Sequence, residues 1–158
     1  MKSTKFVTAC YIMSFVGAHQ PRMLATATIA KWVDTHAARA RQIVAQLVKA
    51  GLLDATRGGG GGVKLARKAS DITLLDIYDA VGETDLPFFS VDNPFSKWAD
   101  HCSVHDVLTG LRQSIETQAR QKLRTVKLSE VFVPWDEETM ARAEVKQQRA
   151  KGKAKQPA

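Results

Sequence analysis

The stretch LVKAGLLDATRGGGGGVKLAR, residues 47–67, decides how this chain of 158 residues folds. At its centre are five consecutive glycines, Gly58 to Gly62, with Arg57 before them and Lys64 and Arg67 after. Glycine enters positive φ at little cost, so such a run can cradle a phosphate, act as a flexible linker, or turn a hairpin whose tip presses closely against something. The phosphate loop fails on spacing. A Walker loop needs glycine, four residues, glycine, then lysine and a hydroxyl residue, whereas Lys64 stands between Val63 and Leu65. A dinucleotide fingerprint needs glycines at the first and sixth places of its frame, and a run of five cannot supply both ends. Two short extended-looking segments, residues 52–56 and 63–66, flank the run. They favour a β-hairpin with a basic, glycine-rich tip.

Upstream, residues 3–17 predict a first helix. Phe6, Cys10 and Met13 fall on one side and Val7, Tyr11 and Phe15 on another, so this helix is expected to be buried on more than one side. Residues 17–21 break it. Thr26 is placed to cap a short second helix containing Ile29, Ala30, Trp32 and Val33. A tight polar turn at residues 34–36 leads to a third helix running to about Ala50, with Gly51 as its stop signal.

Projected at about 100° per residue, the third helix sorts into two faces. Ala40, Ile43, Val44, Leu47 and Val48 point inward, while Ala38, Gln42, Ala45, Gln46 and Lys49 lie opposite, with Arg39 and Arg41 near the borders. A plain solvated face would have the same composition. Two short helices, a tight turn and a basic hairpin in succession favour a winged helix-turn-helix, in which amides read adenine and arginines read guanine or hold phosphate. The candidate DNA-binding residues are therefore Thr28, His36, Ala38, Arg39, Arg41, Gln42, Gln46 and Lys49 from the helices. Arg57, Gly59, Gly60 and Lys64 add the hairpin, with Arg57 and the glycine tip directed at the adjacent minor groove.

Composition agrees. A net charge of +7 and an isoelectric point near 9.6 favour a polyanionic partner, although Lys146, Arg149, Lys151, Lys153 and Lys155 place part of the excess in the tail. No apolar stretch approaches the roughly 18 residues of a membrane span, and no convincing cleavage site follows the first helix, so a cytoplasmic protein without membrane contact is expected. Two cysteines, Cys10 and Cys102, make neither a disulfide framework nor a four-ligand metal site. Paired carboxylates, a nucleophile elbow and metal-ligand spacing are all missing, so an enzyme has no support.

Beyond the hairpin, Thr73 and Asp76 form a capping box for a helix over residues 72–82 that Gly82 ends. Residues 84–101 carry Phe88, Phe89, Phe95 and Trp98 between Pro87 and Pro94, either lining an effector pocket or plugging a junction. Ser103 with Asp106 opens a long helix to about Val126, with an apolar seam of Val104, Leu108, Leu111, Ile115, Ala119, Leu123 and Val126. About 24 residues make about 36 Å of helix, more seam than a small wing domain covers, so a two-fold partner helix is the natural lid. Residues 128–133 are expected to fold back, and the chain beyond Pro134 to be disordered or frayed. The fold class is mainly α with a small β-hairpin: a winged helix-turn-helix DNA-binding domain over residues 1–83, a connecting loop over 84–101, a dimerisation helix and fold-back over 102–135, and a basic tail over 136–158.

Three stretches, VDTHAARAR at residues 33–41, residues 47–67, and DITLLDIYDAV at residues 71–81, make the chain resemble the BadM/Rrf-type winged-helix transcriptional regulators. The likeness continues through the aromatic loop and Cys102 into the long helix. It implies a homodimer in which the long helices cross, with paired recognition helices and wings on a palindromic double-stranded DNA operator. Well-known members hold an iron–sulfur cluster through three cysteines in the region where this chain has only Cys102. It therefore looks more like a branch with a single cysteine, for which no cofactor is expected; a hybrid site of Cys102 with His101 or His105 is the alternative, disfavoured because sequence-adjacent side chains do not easily converge on one metal. A thiol at a helix N-terminus, with Lys97 near in sequence, is favoured as thiolate, and its oxidation would perturb the dimer helix. Cys102 is accordingly either a redox or electrophile sensor or a small packing residue, while Cys10 reads as core. The leading function is a homodimeric repressor whose effector the sequence does not name. The competing one is a protein- or RNA-interaction module with a basic nucleic-acid-binding tail.

Overall fold

A computed structural model describes residues 4–82 and 103–132. Helix α1 (Lys5–Ala18) leads into α2 (Thr26–Trp32) and α3 (Ala37–Lys49), followed by strands β1 (Leu53–Thr56) and β2 (Gly62–Leu65), helix α4 (Leu74–Ala80) and the long helix α5 (Ser103–Thr125). The fold is mainly helical with one antiparallel hairpin, in which Leu53 pairs with Leu65 and Thr56 with Gly62. Leu24 adds a one-residue third strand: its N–H donates to the Val63 carbonyl and its carbonyl accepts from the Val63 N–H, both at 2.9 Å.

The core gathers residues from every element but α5. Ile12, Phe15, Ile29, Ile43, Leu47, Leu52, Ile72, Ile77 and Leu128 are each almost wholly shielded from solvent. Each such side chain gains about 1.5–3 kcal/mol by leaving water. In the C-terminal half of α1, Ile12 through Gly17 are consecutively buried, as expected for a helix enclosed on several sides. Its N-terminal half is different: Ala9 is buried and Phe6 and Cys10 pack against the core, but Val7 and Tyr11, on another face, are each 52% exposed.

Local signals explain most element ends. The Thr73 hydroxyl accepts from the Asp76 N–H at 3.0 Å while the Asp76 carboxylate accepts from the Thr73 N–H at 2.8 Å, completing the capping box at α4. Gly51 ends α3 at φ +71°, and Asp34, at φ 53°, turns the chain between α2 and α3, a conformation that aspartate tolerates better than most residues. One expected cap is corrected. Ala25, not Thr26, is the N-cap of α2, with no side-chain bond, and Thr26 is already helical. The extended backbone of the Leu24 bridge ends at Ala25, so the helix starts one residue earlier than a threonine cap requires.

After α5 the chain folds back. The Leu74 N–H donates to the Val126 carbonyl at 3.0 Å and the Leu128 N–H donates to the Ile72 carbonyl at 2.8 Å. The Ser14 hydroxyl donates to the Val131 carbonyl at 3.2 Å, and the Phe132 ring lies over Gly17, where a methyl group would strike it. The expected aromatic loop, His101, Cys102 and the basic tail lie outside the described residues.

Candidate nucleic-acid interface

Helix α3 owes its orientation to Ala40, Ile43, Val44 and Leu47, which are buried and set the opposite face outward. On that face Ala38, Arg41, Gln42, Ala45 and Lys49 are all exposed, and His36, the N-cap residue, is exposed at its start. Small residues at 38 and 45 leave the backbone accessible between longer polar side chains. This gives a ridge that can enter a groove and place amide and guanidinium donors on base edges. Thr28 is exposed on α2.

Two predicted residues sit elsewhere. Arg39 and Gln46, two turns apart on one flank of α3, are half-buried. The Arg39 guanidinium donates to the Thr4 hydroxyl at 2.6 Å, while its Nε is buried without a partner among the described residues. The Gln46 Oε1 is likewise buried and unpartnered among them. Arg39 thus ties α3 to the start of α1. It also borders an open cleft of about 470 Å³ that includes Val7, Tyr11, Asp34 and His36.

Arg57 and Gly58 to Gly60 form the exposed tip of the hairpin. The Gly61 N–H donates to the Gly58 carbonyl at 3.0 Å, closing a four-residue turn with Gly58 at φ +99° and Gly60 at φ +80°. Those values suit glycine and few other residues. Lys64 is exposed on β2, directly across from Asp54 in the register, which offsets part of its charge. Sequence reading missed Arg22, an exposed cation two residues before Leu24 and so carried to the base of the wing. A single-residue strand has no periodicity by which it could have been found.

The family model of Rrf2, described as an iron-dependent transcriptional regulator, matches residues 2–133. The chain belongs to the Rrf2 family of transcriptional regulators. It is 40% identical over 62 residues to the HTH-type transcriptional regulator IscR of Cereibacter sphaeroides, a match covering 39% of this chain and 40% of that relative. It is 25% identical over 132 residues to YwnA of Bacillus subtilis, named as an HTH-type transcriptional regulator, covering 84% of this chain and 97% of the relative. Among solved structures, T. potens IscR superposes with a TM-score of 0.62 at 23% identity, covering 82% of this chain and 83% of that one. CymR, the global cysteine regulator of B. subtilis, superposes with a TM-score of 0.55 at 21% identity, covering 86% and 98%. These likenesses establish the winged-helix fold of the Rrf2 regulators.

The family description raises iron. Among the described residues no three His, Cys, Asp or Glu side chains are grouped to hold a metal ion, so they offer no ligand set for an iron centre. Nor, among them, is any helix long and apolar enough to cross a membrane.

Proposed function

We propose that this Rrf2-family regulator acts as a homodimeric repressor on a palindromic operator, each protomer placing α3 in the major groove and the Arg57 tip in the neighbouring minor groove. The observation that carries the reading is the exposed ridge of Ala38, Arg41, Gln42, Ala45 and Lys49 beside an exposed basic wing. Gln42 and Arg41 are the base readers, and Lys49, Lys64 and Arg22 hold phosphate. Arg39 supports the ridge from behind through Thr4 rather than reading bases itself. Dimerisation is favoured by Val104, Val107, Leu108 and Leu111 of α5, all exposed on its first half. Cys102 directly precedes α5 in sequence, and the repressor responds to oxidants or electrophiles through it.

Footprinting on selected genomic fragments tests the reading, with protection expected over two half-sites about one helical turn apart. The log–log dependence of affinity on salt should fall by about 0.9 per phosphate neutralised. Arg57→Ala should weaken operator binding while leaving thermal unfolding unchanged; equal binding sinks the wing assignment. Cys102→Ser, compared with reduced and oxidised protein, isolates the sensing role, and identical binding in all three removes it. Loss of all DNA affinity on deleting residues 137–158 would instead favour an interaction module with a basic tail.

A further inference from the structure

The five glycines are not equivalent. A Cβ at Gly58, Gly59 or Gly60 would meet nothing within 4 Å. At Gly61 it would strike the Thr56 carbonyl oxygen, and at Gly62 it would lie 2.6 Å from the Leu24 carbonyl oxygen and 2.7 Å from its carbon. These obstacles are backbone atoms held in ladder bonds, so they cannot swing aside as a side chain can. Gly62 also pairs with Thr56, the residue before Arg57, and precedes Val63, which is bonded on its other edge to Leu24. The hairpin is therefore wedged between Leu24 and its own first strand at the one level where neither neighbour leaves room for a methyl group.

We infer that Gly61 and Gly62 are positioning residues for DNA recognition: they let the hairpin close against Leu24 and Thr56, and that closure sets where Arg57 is delivered. Gly58 to Gly60 form the turn at the tip and do not set its direction. The inference rests on the wing reading above but assigns the aim of the wing to its base. A methyl group at Gly62 pushes β2 away from Leu24, and because Thr56 is laddered to Gly62 the displacement reaches Arg57 directly.

The test compares operator duplexes whose flanking minor groove is either a narrow A·T tract or a wider G·C segment, since a narrow groove attracts an inserted arginine. The full-length protein should prefer the A·T flank. Arg57→Ala should abolish that preference and lower the salt slope by about 0.9. Gly62→Ala should abolish it to the same extent, and the double variant should lose nothing more. Gly59→Ala, whose added methyl group meets no protein atom within 4 Å, should keep the parent's ratio of A·T to G·C binding even where the tip's own contact with DNA changes overall affinity. If Arg57→Ala keeps the preference, the wing reading falls and the inference with it. If Arg57→Ala loses it but Gly62→Ala keeps it, or weakens both duplexes equally, only the inference is overturned. Should Gly62→Ala fail to fold by circular dichroism, Gly61→Ala carries the same comparison, because its obstruction lies at Thr56 to Gly58, at the tip end of the hairpin, and does not involve Leu24.

Discussion

From Ile115 to Leu123 the apolar seam of α5 is half-buried, and the helix there meets α4 through an ion pair between Arg120 and Asp79 at 2.9 Å. In the first half of the same helix, Val104, Val107, Leu108 and Leu111 stand 39% to 66% exposed. The spacing of apolar residues is alike in both halves, so the pattern does not determine which surface covers them. The second half is covered because the fold-back from Val126 to Leu128 bonds its end to Ile72 and Leu74. The first half has no such tether among the described residues, and in the proposed homodimer it is the surface left for a second protomer.

The largest effect should come from breaking that division at the bare half. Leu108→Glu combined with Leu111→Glu should yield a monomer by sedimentation. It should also lower operator affinity on the order of 100-fold or more, because two linked binding heads gain that much over one. A variant that remains dimeric would move the interface elsewhere, to the exposed Val7 and Tyr11 of α1 for example. At the docked half, Leu128→Ala should cost about 2–5 kcal/mol in urea unfolding, since it empties a fully buried site in a bonded strap. A smaller loss would mean that the main-chain bonds alone hold the strap.

The smallest effect belongs to the ion pair. The hydrogen bond to Asp79 raises the Arg120 pKa above its ordinary value, so on the alkaline side the contribution is lost only as pH rises through the arginine range. Both side chains are substantially exposed, at 37% and 48%, so Asp79→Asn should cost under about 1 kcal/mol near neutral pH. A larger loss by thermal unfolding would show that the pair, rather than the seam, docks α5.

Legibility in the sequence followed the range of the interaction. The Thr73–Asp76 box was readable because both bonds close within one turn, and the inward face of α3 because its period is set by the helix itself. The start of α2, the withdrawal of Arg39 to Thr4, and the exposure of Val7 and Tyr11 were not readable. Each depends on where a distant segment lies: Val63 beside Leu24, α1 beside α3, and the edge of the core beside α1.

By itself the sequence determined that residues 47–67 form a basic hairpin behind an amphipathic helix, since glycine, strand residues and helical period act locally. Only the tertiary structure divided the glycine run, leaving Gly58 to Gly60 in open space and packing Gly61 and Gly62 against backbone. The physical reason is steric. Whether a glycine is needed depends on what stands where its Cβ would be, and at Gly62 that is Leu24, a residue 38 positions away in the chain.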